Sequence, residues 1–368
     1  MDVNKYTQQA GDNSQQMQAN NITIINNNGL TEEQVNERVK KVVNELIPAA
    51  IKEYTEEARE TANERIAKLE NCILPRISQV DGMIESFSDP AFQRLLVKAE
   101  QEAAVSEREA DYSLLTELLV CHVKKGNDRK NRVGIEKAVE IVDKIDNDAL
   151  CGLTLIHVVE HFVPMIGEVS FASMMWDDAV KRLEYEELPS DDEWIEQLEM
   201  LGAIRTVRES KFKKFIEYYS QNNDGYLCVG IKKDSENYRK AREILKEAKL
   251  DDRRFLIPNE LIEGYARLNI RDIASVSSLM ITTIDAVHKI TAEEERAIKT
   301  VWSLYETDEE LKKKVEESFL MMWDSHKSLK KLRVWWDNIP IYFQITKVGE
   351  ILAHTNAKRC VPYIPDMI

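Results

Sequence analysis

Punctuation is scarce in this chain: 12 glycines and 9 prolines are spread over 368 residues. Soluble proteins ordinarily carry roughly 7% and 5% of these residues. So few turn formers cannot supply the many tight turns of a sandwich or barrel, and long helices are the expectation. Charged residues make up 31% of the chain, as long solvated helix faces require. The expected fold is mainly α: a helical body with a long N-terminal helix and a small α+β, winged-helix-like portion. At roughly 100–200 residues per domain, the length suits two or three units.

Residues 1–30 differ from everything after them. Asn and Gln supply 12 of the 30, and only Asp2, Lys5 and Asp12 carry side-chain charge. At the centre, Ile22-Thr23-Ile24-Ile25 sits between Asn20-Asn21 and Asn26-Asn27-Asn28. A short β-branched run without Pro or charge, flanked by Asn, is the composition of a strand that pairs between identical chains. A disordered polar tail has a similar composition. Of the two, the expectation is an assembly segment with Ile22, Ile24 and Ile25 at its centre.

Residues 31–88 read as long helices. Thr31-Glu32-Glu33-Gln34 is a capping box, in which the Thr31 hydroxyl accepts from the N–H of Gln34. Val35, Val39, Val42 and Leu46 step by four, three and four, which keeps them on one helical face. Beyond Pro48, a narrower seam runs through Ala50, Tyr54, Ala58, Ala62, Ile66, Leu69 and Ile73. Two packings suit such a seam: a coiled coil with another copy, or an amphipathic helix folded back on its own body.

Residues 89–190 read as a helical domain. Asp89-Pro90 marks a helix start, Leu114 to Val123 forms a buried stripe, and Leu150–Val163 is nearly all apolar. Lys124–Arg132 reads as a basic connector. The remaining span, 191–368, is expected to be an α+β domain with winged-helix-like elements and C-terminal helices. Strands are expected at Ile204–Val207, 226–231 and 340–345, the last two pairing with each other. Helices are expected again from 259, including one continuous helix over Glu309–Trp336. Arg205, Arg208, Lys211, Lys213 and Lys214 make the winged-helix-like stretch basic. A net charge of −15 opposes nucleic-acid binding overall. Local nucleic-acid binding there is therefore a second alternative.

One string carries a chemical motif. His157-Val158-Val159-Glu160-His161 matches H-x-x-E-H, which puts two histidines on one helical face. A zinc hydrolase would use His157 and His161 as ligands, a downstream carboxylate such as Glu236 as the third, and Glu160 as general base. That is the alternative to a non-enzymatic reading with no cofactor. His122, His288, His326 and His354 look isolated in the sequence.

No window of the sequence approaches 18 uninterrupted apolar residues, so no membrane span is expected. The first residues have no apolar core of the kind a secretory signal carries. Five dispersed cysteines without a C-x-x-C pair read as reduced thiols in a cytoplasm.

The opening Gln9-Ala10-Gly11-Asp12-Asn13-Ser14-Gln15-Gln16-Met17-Gln18-Ala19, with Gly29-Leu30-Thr31-Glu32-Glu33-Gln34-Val35, resembles the start of an uncharacterised bacterial family. That family opens with Q-x-G-D-x-S-x-Q-x-Q-A and G-L-(S/T)-x-x-E-V, and Gln34 departs from its Glu. Residues 89–163 are similar to the family's helical body, and Ile345-Thr346-Lys347-Val348-Gly349 to its I/L-T-x-x-G ending. The resemblance implies no assigned activity, and an association with mobile and phage-defence regions. The expected function is thus a non-enzymatic, self-assembling scaffold, sensor or inhibitor. Its partners would be copies of itself and another protein.

Overall fold

The computed structural model describes residue 37 and residues 56–162, 164, 167–207, 209–282 and 287–366. The assembly residues Ile22, Ile24, Ile25, Val35, Val39, Val42 and Leu46 lie outside the described residues, as does the capping box at Thr31.

The described residues are mainly helical, with fifteen α-helices and seven strands of at most four residues. The body opens with α1 (Glu56–Gln79), one-turn α2 (Met83–Ser86), α3 (Pro90–Val105), α4 (Glu109–Lys125) and α5 (Arg129–Val139). It continues with α6 (Asn147–His161), α7 (Val169–Leu183), α8 (Glu193–Met200), β1 (Ile204–Thr206) and α9 (Phe215–Asn222). A smaller group follows: β2 (Ile231–Lys232), α10 (Glu236–Glu247), α11 (Asp252–Phe255), β3 (Leu256–Pro258), β4 (Tyr265–Leu268), β5 (Met280–Thr282), β6 (Val287–Lys289) and α12 (Ala292–Trp302). The chain ends with α13 (Glu309–Asp324), α14 (Lys327–Asp337), β7 (Phe343–Ile345) and α15 (Lys347–Cys360).

Local sequence explains several boundaries. Asp89 caps α3 by accepting from the Ala91 N–H at 3.0 Å, with Pro90 in the first turn, where its missing N–H costs nothing. Along α1, the apolar residues at three- and four-residue steps (Ala62, Ile66, Leu69, Ile73, Ile77) are all buried. This face packs on α3 and α4. In the described part of the seam, the inward packing is therefore the one adopted.

Two helices lie at the centre. α6 is buried continuously from Ala149 to Val159, and α15 from Ile351 to Ala357. A helix apolar on every side must be surrounded by others. α6 and α15 pack on each other, and α15 also meets α4 and α5. The larger core runs from Leu69 to Ile364 and draws on helices either side of residue 190. A separate core, formed by residues between Ile231 and Val301, fills the smaller group.

Strand pairing departs from expectation. β1 pairs antiparallel with β7 (Ile204 opposite Ile345), whereas β2 pairs with β4 (Ile231 opposite Ala266). The strands expected at 226–231 and 340–345 thus belong to different sheets, and β1 and β2 do not form a wing together. Between 259 and 289, where helices are expected, the described residues make short strands and one 3-10 turn. The helix expected over Glu309–Trp336 is two helices. Ser325 ends α13, and His326 takes an extended conformation (φ −93°, ψ 118°) before α14. The break is held by the Ser328 hydroxyl on Asp177, and by the Trp323 indole N–H donating to the Leu329 carbonyl at 2.9 Å.

The I-T-x-x-G ending has a clear local role. Thr346 Oγ donates to the Gly202 carbonyl at 2.7 Å and accepts from the Gly349 N–H at 3.2 Å. A Cβ on Gly349 would lie 2.1 Å from the Ala203 carbonyl oxygen. The start of α15 can therefore sit against residues 202–203 only with glycine at 349.

Candidate functional site

The last turn of α6 brings His157 and His161 onto one face, ring centroids 4.8 Å apart. The sequence spacing predicts that pair. It does not predict the third member: His354 of α15 stands edge-on to His157 at 5.7 Å. Phe162, the residue that ends α6, stacks on His354 at 5.4 Å and meets His157 edge-on at 5.6 Å.

His157 is 1% exposed and His354 5%. Neither ring nitrogen of either residue has a hydrogen-bond partner among the described residues. Burial, with His161, His354 and Lys347 nearby, pushes the His157 imidazole down to about 3. Burial and Lys358 push His354 down to about 4. Both rings are therefore neutral at physiological pH.

His157 is among the residues that line a groove of about 610 Å³, with both of its ring nitrogens buried. Its walls are largely apolar, from Phe162, Pro164, Met175, Trp176, Ile364 and Pro365, with His161, Arg271, Glu350 and Asp366 at polar positions. Residues 363–366 form one side. They are tied down by Tyr363, which donates to Asp178 at 2.9 Å, and by Asp366, which pairs with Lys124 at 3.1 Å and with Lys358.

The alternative zinc set is brought together only in part. Glu160 is half-buried and is pushed up to about 7 by burial, a value suited to a general base, but it does not line the groove. Glu236 lies exposed in the first turn of α10, whose buried face belongs to the smaller core. Among the described residues, no group of three or more His, Cys, Asp or Glu stands where it could hold a metal ion. Of the basic residues in the winged-helix-like stretch, Arg205, Lys211, Lys213 and Lys214 are exposed, and Lys214 donates to the Asp337 carbonyl at 2.6 Å. Arg208 lies outside the described residues.

A protein-family model matches residues 29–366, most of the chain, and the chain belongs to that family. The family is uncharacterised, and its description names no activity. Comparison with curated proteins and with solved structures finds no match. Among the described residues, no helix is long and apolar enough to cross a membrane.

Proposed function

We propose that this chain is a non-enzymatic protein that assembles with copies of itself through residues 1–30 and acts through protein contacts as a scaffold, sensor or inhibitor. The setting implied by its resemblance to bacterial defence-region proteins is phage defence. The observation that carries the reading is the contrast between the two ends of the N-terminal region. The α1 seam is spent on the chain's own core, from Ala62 to Ile77. The uncharged Ile22–Ile25 run between Asn clusters is the composition of a pairing strand. Ordering such a strand costs about 1–2 kcal/mol per residue, which one short tail hardly recovers alone. With α1 packed inward, the seam Val35, Val39, Val42 and Leu46 is left to hold several tails together, which would raise their effective concentration and offset that cost.

Light scattering coupled to size exclusion tests this on the full chain. The expected result is an oligomer that shrinks on deletion of residues 1–30, with the helical content of the body kept. Ile24→Lys should act in the same direction by placing a charge inside the pairing run. A full-length protein that is monomeric at tens of micromolar overturns the reading.

A further inference from the structure

The chain carries a net charge of −15, yet one of its pockets is basic. Arg76, Lys124, Lys125 and Lys358, from the last turns of α1, α4 and α15, line a pocket of about 50 Å³. Two carboxylates join them in the lining, Glu117 and Asp366. A basic residue in a last turn suits the helix dipole, which accounts for each cation alone but not for the meeting of four from three helices. Their pairing is uneven. Arg76 has Glu117 at 2.7 Å. Lys124 and Lys358 share the single carboxylate of Asp366, which lies 3.1 Å from Lys124. Lys125 has no ion pair among the described residues. Burial keeps the His354 imidazole and the Cys121 thiol of the same lining neutral at physiological pH, so neither alters the balance. Burial, with Lys124 and Arg76 nearby, holds the Lys358 ammonium below its ordinary range. The pocket thus keeps a surplus of positive charge with Asp366 in place.

Asp366 is also the group most easily replaced. Its side chain is half-exposed, and it lies outside the helices, on the segment that follows α15. That segment has other ties: Val361 and Ile364 are buried, and Tyr363 donates to Asp178 at 2.9 Å. The carboxylate can therefore swing out while the segment stays seated. Two lysines that share one negative charge, beside a third with none, match an anion of two charges and several acceptor oxygens. A phosphate monoester is such an anion at neutral pH and above. The volume limits what enters. A buried water needs roughly 10–15 Å³, so about 50 Å³ admits one phosphoryl group and leaves the rest of its molecule outside.

We propose that the pocket between α1, α4 and α15 binds the phosphoryl group of a small soluble phosphate monoester, held by Lys124, Lys125 and Lys358, and that Asp366 fills the same place as an internal competitor. The site is independent of the assembly segment. It makes no use of Glu160 or of a metal.

The test is calorimetric titration of the full chain at pH 8 and low salt with glycerol phosphate, a dianion under these conditions. Sodium acetate, a monoanion, is titrated in parallel. Saturable binding of one ester per chain is expected, with acetate about tenfold weaker or less. Asp366→Asn removes the competing carboxylate and should tighten the ester by about fivefold or more. Glu243→Gln makes the same change of net charge at an exposed position on α10 and should leave the affinity within about twofold of the parent. In the Asp366→Asn background, Lys358→Gln should weaken the ester by about tenfold or more. Lys125→Gln, at a residue with no ion pair to lose, should act in the same direction, which decides the matter if the Lys358 variant does not fold. Absence of saturable ester binding to Asp366→Asn overturns the proposal. An affinity there no tighter than the parent's overturns it as well, as does binding that neither lysine substitution changes. Acetate bound as tightly as the ester overturns the match to a dianion. Co-sedimentation with phosphatidylcholine vesicles that carry phosphatidic acid separates the two sources of a phosphoryl group: pelleting with these vesicles, without calorimetric binding of the soluble ester, overturns the soluble assignment in favour of a lipid headgroup.

Discussion

His157 and His354 meet edge to face across the contact between α6 and α15, at an interplanar angle of 84°. The pair lies where both helices are buried on every side, and although His161 of α6 stands beside His157, no hydrogen-bond partner among the described residues reaches either ring. Each imidazole is held neutral by burial, and a proton on either would face the other ring and nearby lysines. The centre of the fold thus contains two uncharged aromatic heterocycles, one of them beside a groove.

The contrast on α15 gives a paired prediction. His354→Leu removes two unpartnered nitrogens at similar volume, so denaturant unfolding at pH 7 should show stability unchanged or raised. Asn356→Leu leaves Thr154, Tyr185 and Arg359 without their buried partner and should cost about 2–4 kcal/mol. Equal losses for the two substitutions would mean that His354 has a structural partner.

Gly349→Ala should destabilise the protein by about 2–3 kcal/mol, the scale of overpacking in a well-filled site. The added Cβ meets a backbone carbonyl, that of Ala203, which cannot rotate away as a side chain does. The Thr346 cap and the β1–β7 pairing both depend on the same close approach. A urea midpoint equal to that of the parent would show that α15 can shift off residues 202–203 at no cost.

Features written in local sequence were legible, and features made by distant pairing were not. The cap at Asp89, the Thr346 helix start and the apolar spacing of α1 each depend on residues within one or two turns. The i, i+4 relation of His157 and His161 is of the same kind. His354 is far from them in sequence and directly follows the apolar stretch Ile351-Leu352-Ala353, which carries no sign of a neighbour. The strands are two to four residues long, too short for a two-residue alternation to show. Their partners, such as Ile345 for Ile204, are set by how helices bring the chain back. The break at Ser325 escapes the helical pattern because the apolar spacing continues across it, and Asp177, which holds Ser328, belongs to a different helix.

Arg267 joins the two cores, and its replacement should loosen them. Ala266 and Leu268 of β4 point into the smaller core, so the alternation of a strand sends Arg267 to the opposite face. There it is fully buried, donating to the carbonyls of Gly225 (3.3 Å), Leu268 (3.2 Å) and Gly167, with the Glu260 carboxylate at 3.5 Å. Glu260 in turn accepts from the Val169 N–H at 2.6 Å at the start of α7, the helix that carries Met175 and Trp176. Arg267→Leu should cost about 2–4 kcal/mol in chemical denaturation. Arg267→Lys should recover only part of this, because an ammonium cannot reproduce the planar fork that serves several carbonyls at once. Full recovery with lysine would show that only the charge matters.

Glu100 supplies a pH dependence with a definite sign. It lies on α3, 1% exposed, and burial, together with the charge of Glu70 on α1, pushes its carboxyl up to about 8. In the unfolded chain the group ionises near its ordinary value of about 4.3. Below that value both states hold the proton, and the folded state keeps its full advantage. As pH rises toward 8 the unfolded chain gives up a proton that the folded chain retains, so unfolding becomes easier by up to about 1.4 kcal/mol per pH unit. Glu100→Gln is neutral at every pH and nearly the same shape. At pH 5, where the unfolded chain has begun to give up its proton, the variant should be more stable by no more than about 1 kcal/mol. At pH 8 it should be more stable by about 2–3 kcal/mol, allowing for partial relaxation around the ionised group. Glu102, whose carboxyl burial and Asp143 push up to about 7, titrates in the same range. It is present in both proteins and cancels from the comparison. Thermal melts of parent and variant at pH 5 and pH 8 measure the difference directly. A difference that does not grow between pH 5 and pH 8 would show that Glu100 is not the group that holds its proton in the folded state.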